Sequence, residues 1–336
     1  MPERNTMKKI QELQQVKGDA YDYYIAGNED TDLFEKIFLV EEICKPDKYF
    51  LIGEKGSGKT AYSVYMSKSD KINSFCSISL VENTLYQRFL NMKRQKALEL
   101  SSFKDVWINL IYLILAEKIR KEYGETFFSS IKYKQLSKAI DVFYSDAFKP
   151  EFVNAFEFVD NASASINSMM KQGLFSTGTK ASAETSQKYV EQSFQISLLK
   201  IRDGFEKAFM SVNLKKPTIL FVDGIDARPR DIDNEQYFEC LVGLVNAVLE
   251  MNQSFLKEKQ IKIMLLIRPD IMYKMPVHNM NQKLRNNSVL LNWVTSYRKY
   301  IDSKLFKIAD DYFMKQQDYS YELGECWNYY FPYKVE

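Results

Sequence analysis

Five runs of β-forming apolar residues recur along the chain, and stretches with helical periodicity separate them. The runs lie at 48–54, 74–80, 217–223, 261–271 and 286–293. Because helical connections join successive runs, right-handed crossovers are expected to assemble them into a single sheet. The pattern therefore predicts an α/β fold with a doubly wound, mainly parallel five-stranded sheet, in which 74–80 is an edge or near-edge strand.

A large helical insertion is predicted over about 81–212, between the second run and the third. It contains the segment 103–124, whose apolar residues recur at helical spacing on one broad face. Residues 161–186 are rich in Ser, Ala, Gly and Thr, which indicates a mobile loop or lid. The predicted organisation is an N-terminal helical arm over 1–30, a main domain over 31–310 and an aromatic C-terminal docking segment over 311–336.

Composition and charge limit the classes of function. The 46 Lys plus Arg residues oppose 44 Asp plus Glu residues, and a net charge of +2 neither indicates nor excludes nucleic-acid binding. Four scattered cysteines and one histidine argue against a disulfide framework and a structural zinc site. The longest apolar run, 106–116, is about half a membrane span. We therefore expect a cytoplasmic protein with no membrane insertion.

The sequence GEKGSGKT, residues 53–60, matches the phosphate-binding pattern G-x-x-x-x-G-K-[ST] in full. A β-forming run precedes it and a helix-forming stretch follows it, which is the context that this pattern requires. Glycines allow successive backbone N–H groups to point at a phosphate, and the helix N-terminus adds partial positive charge. The predicted nucleotide-binding residues are Gly53, Glu54, Lys55, Gly56, Ser57, Gly58, Lys59, Thr60 and Ala61.

Catalysis and metal binding require groups from outside this loop. Lys59 is predicted to reach the β- and γ-phosphates of ATP, and the Thr60 hydroxyl is predicted to be one ligand of Mg²⁺. The apolar run 217–223 ends in Asp223, as a central parallel strand does where it opens at a ligand crevice. Asp223 is therefore predicted to bind Mg²⁺, either as a direct ligand or through a group that is itself a ligand. Asp226 is predicted to polarise the attacking water. The alternative for both acids is turn chemistry, since Asp-Gly is a common turn dipeptide.

Arg268 ends the strand predicted to start at Ile261, at the crevice end of the sheet if the strands are parallel. Its guanidinium is predicted to sense the γ-phosphate and so to take part in catalysis. The alternative is a strand-end arginine in a surface ion pair. Other arginines that could take the role are Arg228, Arg230 and Arg285.

With these motifs placed, the chain resembles the additional-strand P-loop ATPases, and in particular the signal-transducing STAND/NACHT-like group. The resemblance rests on GEKGSGKT, LFVDGID and LLIRPD, and covers roughly residues 30–310. The segments FVDGIDARP, YFECLVGLVNAV and KLRNNSVLLNW are similar to bacterial P-loop ATPases of mobile-element and anti-phage defence loci. Two features depart from the pattern: Ala227 stands where NACHT-type motifs often have a second acid, and no repeat array follows.

This resemblance implies an ATPase with ATP and Mg²⁺ as cofactors, and the two departures predict slow hydrolysis. It gives Lys59 and Thr60 the phosphate and metal roles, Asp223 the magnesium role, Asp226 the acidic position of the motif and Arg268 the sensor position. The expected function is an ATP-dependent switch in anti-phage defence, which forms homo-oligomers or regulates an effector protein encoded alongside.

Three other functions stay open. A nucleotide kinase or other phosphotransferase would need an arginine-rich lid, and 161–186 contains no arginine and only two lysines. A GTPase would need a guanine-reading N-K-x-D motif, which the strand ends IRPD and LNW lack. A DNA-associated motor or loader ATPase is disfavoured by the near-neutral charge.

Overall fold

The computed structural model describes residues 7–15, 20, 39–81, 103–128, 133–146, 198–226, 234–275, 284, 286–293 and 300–332. The strands within these ranges are β1 (Phe50–Gly53), β2 (Phe75–Leu80), β3 (Thr218–Asp223), β4 (Ile261–Ile267) and β5 (Ser288–Leu291). The helices within them are α1 (Val40–Cys44), α2 (Lys59–Lys68), α3 (Phe103–Phe128, kinked at Gly124), α4 (Lys134–Asp146), α5 (198–211), α6 (Asn234–Gln253), α7 (Pro269–Lys274), α8 (Lys304–Met314) and α9 (Glu325–Tyr330). The predicted lid over 161–186 and the three alternative arginines, Arg228, Arg230 and Arg285, lie outside the described residues.

The five strands form one sheet in the order β2-β3-β4-β1-β5, and every neighbouring pair is parallel. The predicted α/β class and five-stranded sheet are confirmed, and β2 lies at the edge as expected. In the centre, Ile52 of β1 pairs with Ile267 of β4, and Leu265 of β4 pairs with Val222 of β3. The carboxyl ends of β1, β4 and β3 therefore open at one edge of the sheet.

The strands are shorter than the apolar runs that predict them, most of all β4 and β5. The run 261–271 divides into β4 and the short helix α7, because Pro269 lacks the N–H that a continuing strand would need and instead occupies the first turn of the helix. The run 286–293 contributes only four residues to β5. As a result, Arg268 and Trp293 leave the sheet at its carboxyl edge.

Helices cover both faces of the sheet, and alternate strand residues point to each. The larger core contains buried residues of α3, α4, α5 and α6, which pack against strand residues Phe50, Ile52, Leu220, Val222, Ile261, Ile263, Leu265 and Ile267. The smaller core contains α1 and α2, which pack against Leu51, Cys76, Ile78, Ile219, Phe221, Met264, Leu266, Val289 and Leu291. Since α3, α4 and α5 lie between β2 and β3 in the chain, the helical insertion predicted from periodicity supplies much of the larger core.

Buried polar side chains fasten the helices to the sheet. Asn252 of α6 donates to the Ile263 carbonyl and accepts from the Ile263 N–H, both at 2.8 Å, and so completes hydrogen bonding beside β4. On the other face, Lys262 donates to the carbonyls of Ile43 and Lys45 at the end of α1, and burial lowers the pKa of this lysine to about 8. Each contact satisfies backbone groups that would otherwise be buried without partners.

The two chain ends meet in a separate cluster of contacts. The Tyr330 hydroxyl of α9 donates to the Lys8 carbonyl at 2.6 Å, and the Lys8 N–H donates to the Gln317 side chain at 2.9 Å. The described part of the predicted N-terminal arm contains one 3₁₀ turn, Ile10–Glu12. The predicted boundary at 310/311 falls inside α8. Among the described helices, none is long and apolar enough to span a membrane.

Two glycines in helices provide a matched test of packing. A Cβ on Gly243 of α6 would lie 2.6 Å from the Phe103 Cβ at the start of α3, whereas a Cβ on Gly204 of α5 would meet nothing within 4 Å. Both Gly→Ala changes gain about 1 kcal/mol of helix propensity. At Gly243, overpacking costs about 1–3 kcal/mol. Urea unfolding is therefore expected to show Gly204→Ala stabilised and Gly243→Ala destabilised, and equal stabilisation of both would contradict the close approach of α3 to α6.

Candidate functional site

The loop between β1 and α2 wraps tightly at the carboxyl edge of the sheet. Gly56 and Gly58 have φ of 79° and 91°, in the left-handed region that favours glycine, and α2 begins immediately afterwards at Lys59. A Cβ on Gly53 would lie 2.3 Å from the Ser57 Oγ, so the start and the middle of the loop are in close contact. The Ser57 Oγ is buried and has no hydrogen-bond partner among the described residues. The loop therefore has the glycine-dependent shape that its sequence predicts.

Lys59 folds back over the start of this loop. Its Nζ donates to the Gly53 carbonyl at 2.8 Å and to the Glu54 carbonyl at 3.2 Å, and the residue is only 7% exposed. Burial lowers the pKa of Lys59, the charge of Arg268 lowers it further, and the carboxylates of Asp226 and Asp223 oppose the shift. The ammonium is thus partly desolvated and lies within the electrostatic influence of both acids and of Arg268.

Thr60 and Asp223 meet although 163 positions separate them in the chain. The Thr60 Oγ1 donates to the Asp223 Oδ2 at 2.6 Å, and the Gly224 N–H donates to the Asp223 Oδ1 at 2.7 Å. Asp223 is 5% exposed, so its carboxylate is buried but hydrogen-bonded on both oxygens. The structure therefore brings together the two side chains that the sequence proposed as metal ligands.

Asp226 lies in the loop after β3. Burial raises the pKa of its carboxyl and the nearby Asp223 raises it further, whereas Lys59 and Arg268 act in the opposite direction. The Asp226 Oδ1 is buried and has no hydrogen-bond partner among the described residues. A buried carboxylate oxygen without a partner is costly, so this oxygen is available to a water or a ligand.

Tyr237 of α6 contacts the loop that carries Asp226. Its hydroxyl donates to the Ile225 carbonyl at 2.6 Å in a buried contact. Nothing in the periodicity of α6 shows which of its buried side chains reaches a functional loop, so the sequence did not predict a role for Tyr237.

Arg268 leaves β4 between the phosphate loop and Asp223. Its Nε and Nη2 donate to the two carboxylate oxygens of Asp270, at 2.9 Å and 2.8 Å. The arginine thus makes the ion pair that stood as the alternative to a sensor role. Because its charge also lowers the pKa of Lys59 and of Asp226, its guanidinium lies within electrostatic range of the same site.

Trp293 is a second residue that sequence reasoning missed. It directly follows β5, and its indole N–H donates to the Ser57 carbonyl of the phosphate loop at 2.7 Å. The order of strands places β5 beside β1, so the end of β5 flanks the loop. The sequence signal was present in the run LLNW, but its meaning depends on which strand lies next to β1.

Thr60 and Asp223 are the side chains of the site that could hold Mg²⁺. Among the described residues, no group of three or more His, Cys, Asp or Glu side chains could hold a metal ion by itself. A hydroxyl and a carboxylate in contact, Thr60 and Asp223, do fit Mg²⁺, which commonly takes one or two protein oxygens and completes its octahedron with phosphate oxygens and water. A metal at this place would therefore depend on a bound phosphate.

The remaining predicted nucleotide-binding residues lie in the loop and in the first turn of α2. Glu54 and Lys55 are exposed at its tip, and Ala61 is partly buried in the first turn of α2.

The chain was compared with protein-family models, with curated proteins and with solved structures, and no match was found in any of the three. The candidate site therefore rests on the residues and geometry of this chain.

Proposed function

We propose that this protein is a P-loop ATPase of the additional-strand class that binds Mg-ATP and hydrolyses it slowly. The observation that carries the proposal is the 2.6 Å hydrogen bond from Thr60 to Asp223. It joins the residue that ends the phosphate-binding motif to the acid that ends a buried parallel strand. The pairing of a hydroxyl with a carboxylate at a phosphate loop suits a phosphate-bound Mg²⁺.

The strand order supports the same class. Strand β4 lies between β1, which leads into the phosphate loop, and β3, which ends in Asp223. An added strand between the two motif-bearing strands is the arrangement after which the additional-strand class is named. In open parallel sheets, ligands bind outside the carboxyl ends of the strands, where the loop, Asp223 and Arg268 all lie.

Each side chain has a chemical role that its surroundings permit. Lys59 exchanges its contacts with the loop carbonyls for phosphate oxygens, and its positive charge offsets the charge that develops on them in the transition state. Thr60 and Asp223 hold Mg²⁺, which when bound neutralises phosphate charge. Asp226, with a free buried oxygen beside Lys59, orients and polarises the attacking water.

The switch function rests on the resemblance to STAND/NACHT-like ATPases and to bacterial P-loop ATPases of mobile-element and anti-phage defence loci. ATP binding favours an assembled state of this chain or a complex with an effector protein, and hydrolysis reverses it. A shift from 1:99 to 99:1 between two states needs a difference in binding of about 5.5 kcal/mol. Ala227 in place of a second acid leaves Asp226 as the single water-orienting carboxylate of this motif, which agrees with slow turnover.

Nucleotide binding is expected to depend on Lys59. Its charge-assisted hydrogen bonds to phosphate are worth about 1.5–3 kcal/mol each, so Lys59→Ala is expected to weaken Mg-ATP binding about 100-fold or more by titration calorimetry. Lys68→Ala, at the other end of α2, is the matched control and is expected to bind normally. The lack of an N-K-x-D motif also predicts a preference for adenine, and GTP binding equal to or tighter than ATP binding would contradict it.

The two acids are expected to have different roles, Asp223 in binding Mg²⁺ and Asp226 in activating water. Asp223→Ala is expected to weaken the Mg²⁺-dependent part of ATP binding, because it removes the carboxylate beside Thr60. Asp226→Ala is expected to leave binding intact and to lower turnover at least about 10-fold, the scale of a positioned general base. Phosphate release and calorimetry on both variants make the test, and a parental rate in Asp226→Ala would assign water activation to another acid.

Assembly is expected to depend on the γ-phosphate. Mass photometry of the full chain is expected to show larger particles with Mg-ATPγS than with Mg-ADP or without nucleotide. Arg268→Ala is expected to bind ADP normally and to lose this ATPγS-dependent increase. An unchanged particle size in all three nucleotide states would remove the homo-oligomeric switch and leave regulation of an effector protein to be tested.

A further inference from the structure

The position of Arg268 follows from strand pairing. Ile267, the last residue of β4, is adjacent to Arg268 and pairs with Ile52, which directly precedes Gly53 at the start of the phosphate loop. On the other side, β4 pairs with β3, which ends in Asp223. Arg268 therefore emerges at the level of the loop, between the two motifs of the proposed ATP site.

Two cations converge at this place. The Lys59 Nζ donates to the Gly53 and Glu54 carbonyls at the start of the loop, and Arg268 leaves β4 at the same level of the sheet. Like charges that are brought close together in a partly desolvated site cost free energy, and an anion between them removes that cost. A triphosphate, which carries more negative charge than a diphosphate and extends one phosphate further, fits this arrangement.

Asp270 orients the guanidinium of Arg268 by binding one of its edges. Nε–H and one Nη2–H bind both oxygens of Asp270, a bidentate pair that fixes the plane of the guanidinium. Arginine has five N–H donors, so three remain, on Nη1 and Nη2. No hydrogen-bond acceptor among the described residues takes them. They form the other edge of the guanidinium, which can bind a second bidentate anion while Asp270 stays in place.

The backbone around this pair limits its freedom. Pro269 fixes its own φ, and the Met272 N–H donates to the Arg268 carbonyl at 3.1 Å, so Asp270 lies in the first turn of α7 directly beside the arginine. The side chains are 28% and 43% exposed, and partly exposed ion pairs contribute little to stability. Orientation of the arginine is therefore a more important effect of Asp270 than stability of the fold.

We propose that Asp270 is a positioning residue that holds Arg268 ready for the γ-phosphate and so makes the site prefer ATP over ADP. This inference rests on the proposed ATP-binding function and adds to it the residue that sets the discrimination. The role proposed for Asp270 requires no contact with nucleotide or metal. It acts by restricting the rotamers of Arg268, which would otherwise have to be ordered when the γ-phosphate binds.

The test is a calorimetric comparison of Mg-ATPγS and Mg-ADP on the full chain. Asp270→Ala is expected to weaken ATPγS binding about 5-fold to 10-fold and to leave ADP binding within about 2-fold, the range expected for loss of a pre-organised contact. Asp270→Asn keeps one acceptor for Arg268 and is expected to fall between parent and Asp270→Ala. Asp203→Ala, which breaks the surface pair with Lys207, is the matched control and is expected to bind both nucleotides like the parent.

A double variant shows whether Asp270 acts through Arg268. If it does, Arg268→Ala and the Arg268→Ala/Asp270→Ala double variant bind ATPγS equally weakly, because Asp270 has nothing left to position. Tighter ATPγS binding in Asp270→Ala would overturn the inference, since Asp270 would then compete with the phosphate for the arginine. Equal losses of ATPγS and ADP would also overturn it, because they would indicate a structural role.

Failure of this inference and failure of the proposed function give different results. A parent protein that binds neither ATPγS nor ADP overturns the ATPase proposal itself. A parent that binds both, with Lys59→Ala impaired and Asp270→Ala unchanged, keeps the ATPase proposal and overturns only the role of Asp270.

Discussion

The parallel pairing of β1, β4 and β3 is the constraint on which the candidate site depends. Parallel strands in register bring their carboxyl ends to one edge, and that edge receives the phosphate loop from β1, Arg268 from β4 and Asp223 from β3. These three elements are up to 215 positions apart in the chain, from Gly53 to Arg268, and only the sheet makes them neighbours. The two layers of helices keep the central strands buried on both faces, so the edge cannot shift without loss of core packing.

Positive and negative side chains compensate one another at the candidate site. Buried or partly buried charges of both signs meet within one loop cluster: Lys59 and Arg268 against Asp223, Asp226 and Asp270. Asp223 and Asp270 each have both oxygens hydrogen-bonded, whereas the Asp226 Oδ1 and the second edge of Arg268 have no partner among the described residues. Unused hydrogen-bonding capacity of opposite kinds in one place is typical of a site that acts on a ligand and less so of a structural network.

The chain ends show how aromatic density is used outside the sheet. The segment after Ser303 forms α8 and α9, which pack through Phe306, Phe313, Trp327 and Phe331. Asp310 is 0% exposed and accepts from the N–H groups of Gly324 and Trp327, so it caps the start of α9. Much of the aromatic content that predicted a docking segment therefore serves packing between these two helices, while the N-terminal residues 7–15 supply part of their surroundings.

The sequence by itself determined the local features: the phosphate-binding motif, the apolar runs of the five strands, the helical insertion and the acid at the end of β3. These follow from short-range periodicity and from residue types at fixed spacing, which act within one element. Only the tertiary structure decided the strand order, the contact of Trp293 with the loop, the support of Tyr237 beneath Asp226 and the meeting of the chain ends. It also decided that Arg268 is held by Asp270, because the choice among arginine rotamers depends on which charges the fold brings near. Local pattern encodes what each segment can form, whereas the neighbours of a side chain depend on how the buried faces of all segments pack together.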